Sequence, residues 1–343
     1  MKITNQKLIE IADILLDENM HYGNLFSATT NYKEMLFEAS QLTLGQDDVD
    51  ENIYTDSGNA LGPKWASRCV DDIVRTRQFC MGVYKATLKK VLEKKGPVHI
   101  VYAGTGPFAT LVLPLLTRFT SEEIKLTLLE INKVSLEGLF NVISFFEISD
   151  YIEAIDCCDA TTYTIENPES VDIILTETLQ KGLKEEPQVA ISYNLMSQVS
   201  DQVILIPEDI TLNLLLVDAD KKTAHQTSFE THIEYYKNIG PLFSLNKTEI
   251  SKHQDTLIPS LPNFTFPSTK ILMPENANRD YHTLSIETQI RVFEDEVIKI
   301  DESGLTFLTK LTDLNAMLQT FNCVISSYQC SNKPGLQMKL DMC

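Results

Sequence analysis

Two glutamates stand nine residues apart in the segment DIILTETLQKGLKEEP, which covers residues 172–187. Glu177 follows an apolar run of strand length, and Glu186 comes from the polar stretch behind it. Two carboxylates that converge on one site repel each other, and a bound cation relieves that repulsion. The pair therefore predicts a binding site for a cationic group. The alternative is that Glu186 only precedes a helix, where acids favour the dipole, but this explains Glu177 poorly.

A glycine pair precedes this segment, in IVYAGTGPFATL. Glycine lets the backbone approach a ligand, although a glycine pair alone also fits a tight turn. The next apolar run, KLTLLEIN, ends at an acid of the kind that binds ribose hydroxyls in nucleotide-binding sheets. A third run, AIDCCDA, ends at an acid that can accept the adenine amino group. We therefore predict a nucleoside cofactor, bound by Ala103, Gly104, Gly106, Glu130, Asp159 and Ala160.

Arg75 separates the possible cofactors. It lies in DDIVRTRQF, within a predicted amphipathic helix before the first strand. A guanidinium can fork onto a carboxylate, which S-adenosyl-L-methionine has and NAD lacks. The third glycine of the usual NAD fingerprint is Ala109 here. We predict S-adenosyl-L-methionine, with a solvated helix charge as the alternative role for Arg75.

The elements that must position these residues alternate between strand and helix over residues 67–206. Apolar runs such as VHIVYAG, KLTLLEIN and VDIILTET are separated by predicted helices, among them about Ser67–Lys95 and the segment FATLVLPLLTRF at 108–119. This alternation predicts an α/β fold with a doubly wound, Rossmann-like parallel sheet. Ligands of such sheets bind at the carboxyl ends of the strands.

The flanking segments have a different texture. Residues 1–66 are predicted to be an N-terminal helical segment that ends in a turn-rich connector, GQDDVDENIYTDSGNALGP. Residues 207–343 are predicted to be mainly β, because ITLNLLLVDA, LSIETQIRVF and CVISSYQC run apolar or alternate at strand length. A helical insert is predicted at about 224–246, around TSFETHIEYYKNIG.

Composition narrows the partners. The chain has 343 residues, enough for two cores, and a formal net charge of −19. Such acidity argues against nucleic acid and permits a cationic substrate, although it also keeps a protein soluble. No apolar stretch approaches the roughly 18 residues of a membrane span, so no membrane partner is predicted. Seven cysteines without regular spacing and without CxxC favour a reducing cytoplasm over a disulfide framework or a zinc site.

Together these motifs resemble the protein arginine methyltransferases. DDIVRT resembles the family's VRT helix, AGTG its glycine loop, and Glu130 and Asp159 its ribose and adenine acids. TETLQKGLKEE is similar to its double-glutamate loop, with Leu183 also in place. VILIPEDITLNLLLVD looks like the family's crossing into the β-barrel. The resemblance runs from about Tyr54 to Asp218 and more faintly to the C-terminus.

The resemblance implies an S-adenosyl-L-methionine-dependent N-methyltransferase with a C-terminal β-barrel-like domain for substrate binding and dimerisation. Glu177 and Glu186 would be the catalytic clamp on a guanidine or amine, in a protein, a peptide or a small molecule. Either glutamate, or His282 if it reaches the site, would take the proton. A homodimer is implied, with HQTSFETHIEYYKNIGPLF as the candidate arm; an ordinary lid or packing helix is the alternative.

Four departures from the family keep other functions open. One is that the Thr-His-Trp loop of the barrel has no clear match in YHTLSIETQIRVF, which occupies that region. Ile100 replaces an acid at the end of the first strand, Tyr102 replaces the first loop glycine, and Thr178 replaces an aromatic residue. The change at Thr178 favours a specialised acceptor. One alternative is a small-molecule C- or O-methyltransferase of a biosynthetic pathway, which would not need both glutamates. The other is a non-catalytic methyltransferase-like scaffold.

Overall fold

The computed structural model of the chain describes residues 5–19, 21–43, 51–227, 233–257, 262–275, 277–314 and 321–343. Its N-terminal segment contains the predicted helices, α1 (Gln6–Leu15) and α2 (Tyr22–Ser40). The buried residues of α1 recur at spacings of three and four and so lie on one side of the helix. These residues are Leu8, Ile11, Ala12 and Leu15.

A short antiparallel hairpin and two helices lead into the sheet. They are β1 (Ile53–Thr55), β2 (Gly58–Ala60), α3 (Pro63–Ala66) and α4 (Ile73–Glu93). Helix α4 begins later than the predicted Ser67, because Asp72 caps it and accepts the backbone N–H of Arg75 at 3.1 Å. The cap fixes the first turn of α4, and with it the position from which the Arg75 side chain extends.

Five parallel strands form the central layer. They are β3 (Val98–Ala103), β4 (Ile124–Glu130), β5 (Ile152–Cys157), β6 (Val171–Thr176) and β7 (Ile204–Ile206). Their spatial order is β5–β4–β3–β6–β7, so the direction of winding reverses between β3 and β6. Helices α4, α5 (Lys133–Phe145) and α6 (Gln188–Met196) pack on these strands. This arrangement confirms the predicted Rossmann-like, doubly wound sheet.

The segment 108–119 is not the α-helix that the sequence predicted. It forms turns and then a 3-10 helix over Leu113–Thr117. Ala109 has a φ of 49°, in the left-handed region that an L residue adopts at a cost. The segment is also buried on almost every side, so it has no polar face. The glycine loop therefore leads into an irregular turn rather than into a regular helix N-terminus.

Residues after Pro207 form two antiparallel sheets, of order β13–β12–β8–β9 with β14 beside β12, and β10–β15–β11 with β16 beside β15. The elements are β8 (Asp209–Val217), α7 (Ala219–Thr227), β9 (Tyr236–Asn246), α8 (Lys247–Leu257), β10 (Phe264–Thr265), β11 (Thr269–Leu272), α9 (Ala277–Asp280), β12 (Thr283–Phe293), β13 (Glu296–Ile298), β14 (Thr309–Asp313), β15 (Cys323–Cys330) and β16 (Gly335–Asp341). Phe243 stacks on Tyr328 with ring centroids 4.4 Å apart, which joins the two sheets as a barrel-like domain.

Helix α4 fixes the β domain against the parallel sheet. Gly82 of α4 packs against Val292 of β12 so closely that a Cβ would overlap that side chain. Arg77 donates to Glu296 at 2.8 Å in a buried pair, and Lys85 also binds Glu296. Since α4 also carries Arg75, this packing holds one side of the candidate site in place.

The helical insert predicted at 224–246 is wrong over its second half, because Tyr236–Asn246 form β9 and pair with β8. Residues 228–232 lie outside the described residues, and so does the predicted arm residue Phe229. Two other aromatic residues of that arm pack within their own domain: Tyr235 is 4% exposed, and Phe243 lies on Tyr328. Gly240 and Pro241 interrupt the alternation of this strand and concealed it in the sequence.

The cysteines are not all free thiols. Cys323 and Cys343 form a disulfide between β15 and the residues after β16, while Cys69, Cys80, Cys157, Cys158 and Cys330 are free. The preference for unpaired cysteines is therefore wrong for this pair. Across the described ranges, none of the helices is both long enough and apolar enough to span a membrane.

Candidate functional site

A cavity opens at the carboxyl ends of β3, β4 and β6, next to the point where the winding reverses. Its volume is about 1000 Å³, including the part open to solvent. Eight of the nine residues predicted for the site line it: Arg75, Gly104, Gly106, Glu130, Asp159, Ala160, Glu177 and Glu186. Ala103, the ninth, is the buried last residue of β3 and lies behind the lining.

Glu130 ties the glycine loop to the next strand. One carboxylate oxygen accepts the N–H of Gly106 at 2.8 Å, and the other accepts the N–H of Asn132 at 2.8 Å. Burial raises the pKa of Glu130 to about 7, although these hydrogen bonds oppose the rise. Weaker contacts from Ile131 and Thr105 also lower this pKa, but each oxygen accepts only one hydrogen bond of normal length from the described residues. The geometry therefore fits a pair of ribose hydroxyls.

Asp159 follows β5 at the far side of the same cavity. Its Oδ1 accepts the N–H of Thr161 at 2.9 Å and the hydroxyl of Thr161 at 2.7 Å. Within the described ranges no hydrogen bond uses Oδ2 of Asp159. One oxygen thus fixes the side chain and the other can accept an amino group, as an adenine requires.

Arg75 and Glu177 form a buried ion pair. Nε of Arg75 donates to Oε1 of Glu177 at 2.5 Å, and Nη2 also contacts Oε1. Burial opposes the charge on Arg75, but Cys69, Glu177 and Glu186 together raise its pKa. The sequence assigned Arg75 to the cofactor and Glu177 to the acceptor, and did not predict that they bind each other. Nη1 of Arg75 and Oε2 of Glu177 make no hydrogen bond that the described residues provide.

Glu186 is buried at 7% exposure beside this pair. Burial raises its pKa to about 8; Arg75 opposes the rise, and the charge of Glu177 adds to it. Burial thus opposes the ionisation of this side chain, and a further cation in the cavity would favour it. Glu186 also directly precedes helix α6, which begins at Gln188, so a contribution to the helix dipole stands beside its place in the cavity.

Gly104 allows the first glutamate to lie against the glycine loop. It has a φ of 79°, and a Cβ there would overlap Cγ2 of Thr178, the residue after Glu177. Thr178 cannot move freely, because its N–H and its hydroxyl both donate to Oε1 of Gln188 at 3.0 Å. Gly106 has a φ of 57° but more room, since its Cβ would meet Ala66 at an ordinary 3.5 Å.

Gly104→Ala is expected to lower the free energy of unfolding by about 2–4 kcal/mol, from left-handed strain and overpacking together. Chemical denaturation measures the change. Gly106→Ala is the matched control and should cost only the strain, about 1–2 kcal/mol. Adding Thr178→Ser to Gly104→Ala removes Cγ2. This double variant should regain the stability lost to overpacking but not the stability lost to backbone strain. Equal costs for the two alanine variants would contradict the close contact with Thr178.

His282 is not brought to the site. It is absent from the lining, and its Nδ1 accepts the N–H of Ala219 at 3.1 Å. Its ring nitrogens lie 3.5 Å from Asp218 and 3.6 Å from Asp220, at the end of β8. A role for His282 in taking the proton is therefore not supported by its position.

The sequence patterns did not predict that the hairpin β1–β2 belongs to the site, and this segment was expected to be a turn-rich connector. Thr55, Asn59 and Ala60 line the cavity from this hairpin, and Tyr102 and Cys69 line it from other elements. The turn residues Asp56-Ser57-Gly58 were a signal for a hairpin but not for its position. Only the folded chain brings it over the double-glutamate loop.

The fold and the site together define an α/β protein with a ligand cavity at the topological switch point and an antiparallel β domain behind it. No family model and no curated protein matches the sequence. The chain is similar to a solved structure of PRMT6 at 10% identity, over 75% of this chain and 95% of that chain, with a TM-score of 0.48. It is similar to a structure of PRMT6-SAH at 9% identity, over 75% of this chain and 96% of that chain, with a TM-score of 0.49. It is also similar to the Trypanosoma brucei PRMT1 enzyme-prozyme heterotetrameric complex with AdoHcy, at 12% identity over 80% of this chain and 91% of that chain, with a TM-score of 0.46. At these identities the similarity is one of fold alone.

Proposed function

We propose that this protein is an S-adenosyl-L-methionine-dependent N-methyltransferase that acts on a guanidine or amine group. The observation that carries the proposal is the lining of one cavity. Glu130 and Asp159 offer acceptors for the hydroxyl and amino groups of a nucleoside, and Arg75, Glu177 and Glu186 form a buried charged group beside them. A nucleoside cofactor and a cationic acceptor are the pair of ligands that such a lining suits.

The residues of the sheet would hold the cofactor. Glu130 would bind the ribose, Oδ2 of Asp159 the adenine amino group, and Nη1 of Arg75 the carboxylate of the amino-acid part. The backbone at Gly104, Gly106 and Ala160 would lie against the cofactor, because two of these residues lack a Cβ, while Ala103 would support them from behind the lining. When bound, the cofactor supplies a methyl group activated by a positively charged sulfur.

The glutamates would hold and align the acceptor. Arg75 balances the charge of Glu177, so an ionised Glu186 leaves one excess negative charge in the group, which one cation neutralises. Methyl transfer is an in-line displacement, and holding the acceptor nitrogen at the right distance and angle supplies much of the rate gain. The pKa of Glu186, raised to about 8 by burial, suits a group that takes a proton near neutral pH.

The acceptor group is proposed to belong to a protein, a peptide or a small molecule. A carbon or oxygen nucleophile carries no positive charge, so it gains nothing from an ionised Glu186 and gives this buried carboxyl no role in binding. A homodimer in the cytoplasm is part of the same proposal. Light scattering at working concentration tests the dimer.

Mass spectrometry with a methyl-labelled cofactor tests the function. Arginine- and lysine-containing peptides and small guanidines and amines are incubated with the protein, and the labelled atom is located by fragmentation. Label on nitrogen is the expected result. Label on carbon or oxygen would favour the other methyltransferase class. Tight binding of S-adenosylhomocysteine without any transfer across this panel would favour a scaffold.

Glu130→Gln is expected to weaken binding of S-adenosylhomocysteine about 10- to 100-fold, since charged hydrogen bonds are worth about 1.5–3 kcal/mol each. The substitution keeps the shape but replaces one acceptor oxygen by a donor. Titration calorimetry measures the affinity. Glu137→Gln, an exposed change on α5, is the control and should bind like wild type. Unchanged affinity in Glu130→Gln would remove Glu130 from the cofactor site.

A further inference from the structure

The hairpin β1–β2 lies tightly on the loop that carries Glu186. The backbone N–H of Asn59 donates to the carbonyl oxygen of Glu185 at 2.7 Å. Gly58 has a φ of 143°, and a Cβ on it would come within 2.7 Å of the same carbonyl oxygen and 3.1 Å of the Pro187 nitrogen. The backbone of Asn59 is thus held next to Glu186 by a hydrogen bond to Glu185, the residue before Glu186.

The side chain of Asn59 is a polar group with no hydrogen-bond partner among the described residues. It is 9% exposed, it lines the cavity, and its Oδ1 is buried with no hydrogen bond to any described residue. Nδ2 of Asn59 makes no hydrogen bond to a described residue either. An unpaired buried polar group is costly, whereas an apolar side chain of the same size would be tolerated. The asparagine therefore needs an explanation outside the resting fold.

The missing partner of Oδ1 is a donor, and no described residue of the cavity wall, Nη1 of Arg75 and Glu186 included, donates to it. Arg75 already donates to Glu177, and the hydroxyl of Thr55 donates to the carbonyl of Gly58 at 3.0 Å. Glu177 and Glu186 are acceptors when ionised. A cation bound between these carboxylates would bring N–H groups to this part of the cavity, and Asn59 is the neutral acceptor beside them.

We infer that Asn59 is a third acceptor-binding residue, whose amide oxygen takes an N–H that Glu177 and Glu186 leave free. The inference rests on the proposed function and narrows its substrate class. Three acceptors require a cation with at least three N–H groups, which a guanidinium or a primary ammonium has and a heavily substituted nitrogen lacks. The cofactor is the less suitable partner, since its nucleoside acceptors belong to the sheet while Asn59 is bound to the double-glutamate loop.

The test compares two cations of equal charge that differ in their number of N–H groups, methylguanidinium and 1,1,3,3-tetramethylguanidinium. Their binding is measured by calorimetry with the full chain saturated with S-adenosylhomocysteine. Wild type is expected to prefer methylguanidinium. Asn59→Leu keeps the size and removes the acceptor, so it should lose about tenfold or more of the affinity for methylguanidinium and most of that preference. Asn59→Asp keeps an acceptor and should retain the preference.

Matched controls separate this role from a structural one. Tyr54→Leu changes the exposed residue that pairs with Asn59 across the hairpin and should leave cation binding within about twofold, below the scale of one hydrogen bond. Thermal denaturation of Asn59→Leu should give a melting temperature equal to wild type or higher, because an unpaired polar group is removed.

Each contrary outcome points to a different failure. Wild-type affinity and preference in Asn59→Leu would overturn the inference and leave the glutamate clamp standing. A loss confined to S-adenosylhomocysteine binding would assign Asn59 to the cofactor instead. No binding of methylguanidinium to wild type would overturn both the inference and the clamp. Selective cation binding that depends on Asn59, without methyl transfer to any acceptor, would support the inference and contradict the proposed function.

Discussion

Glu186→Gln is expected to slow methyl transfer by about 100-fold or more, the scale that follows from a misplaced reacting group. The substitution keeps the shape of the side chain but removes the charge that binds and aligns the cationic acceptor. Affinity for S-adenosylhomocysteine should stay within about threefold of wild type, because Glu177 and Glu186 are expected to face the acceptor. Loss of a charged hydrogen bond to the cofactor would lower the affinity by more than this. Single-turnover transfer and calorimetric titration on the same preparation measure both quantities.

The neighbouring residue provides the control. Glu185 is exposed, while Glu186 is 7% exposed. Glu185→Gln removes a carboxylate from the same loop without touching the cavity, so it should transfer methyl groups at the wild-type rate. A rate loss of equal size in both variants would indicate a general electrostatic effect. Near-normal transfer in Glu186→Gln would end the clamp hypothesis even if cofactor binding is established.

Glu177 does not report on the acceptor as cleanly. Its Oε1 receives two contacts from Arg75, so Glu177→Gln also leaves a buried guanidinium without its counter-charge. Breaking a buried ion pair by removing one partner costs about 3–5 kcal/mol. Glu177→Gln should therefore lose rate and stability together, and cofactor affinity could change with them through Arg75. Glu186→Gln separates the clamp from the fold, which Glu177→Gln cannot do.

The chemistry-bearing positions were predictable because of one topological rule. In a parallel sheet the carboxyl ends of all strands meet at one edge, so an acid directly after an apolar run must lie near that edge. Glu130, Asp159 and Glu177 each satisfy this pattern, and Gly104 follows β3 in the same way. Neither the identity of a ligand nor the strength of an interaction was needed to bring these residues to one cavity.

Pairing between distant residues was not predictable. Arg75 and Glu177 are 102 positions apart, and only the position of α4 beside β6 makes them partners. The hairpin over the cavity has the same origin, since the contact of Asn59 with Glu185 joins two loops. Local pattern also misled where burial was complete: the segment 108–119 has helix-like spacing but is surrounded by core, so nothing selects a regular helix over turns.

The strand β9 was missed for a related reason. Gly240 and Pro241 break the alternation that identifies a strand in the sequence, while pairing with β8 tolerates them through two irregularities in register. Tertiary pairing thus supplied an order that the local pattern lacks. The consequence for function is that the buried Tyr235 and the half-buried Phe243, which stacks on Tyr328, pack within their own domain and are not an exposed dimerisation surface.

Acceptor affinity is expected to rise about tenfold per pH unit between pH 6 and pH 8 and then to level off. The pKa of Glu186 is raised from its ordinary 4.5 to about 8, first by burial and further by the charge of Glu177. A cation needs the ionised carboxylate, so below pH 8 its binding must release the proton that Glu186 holds. Calorimetry with methylguanidinium at several pH values measures the slope, and Glu186→Gln should flatten it.

The raised pKa of Glu186 also predicts how the stability of Glu186→Gln depends on pH: the substitution that weakens acceptor binding should stabilise the fold at high pH. A carboxyl group whose pKa is higher in the folded chain than in the unfolded chain stabilises the fold below about pH 4.5 and loses this contribution as the pH rises through about 8. Glu130 shifts in the same direction, so wild type alone cannot isolate Glu186. The glutamine in Glu186→Gln carries no charge at any pH, and the melting temperature of this variant should exceed that of wild type at pH 9 and approach it at pH 5.

Equal melting temperatures at pH 9 would mean that burial does not oppose the ionisation of Glu186. There would then be no reason for cation binding to release a proton from it. A variant that is more stable and less active would instead mark Glu186 as a residue kept for its ligand rather than for the fold.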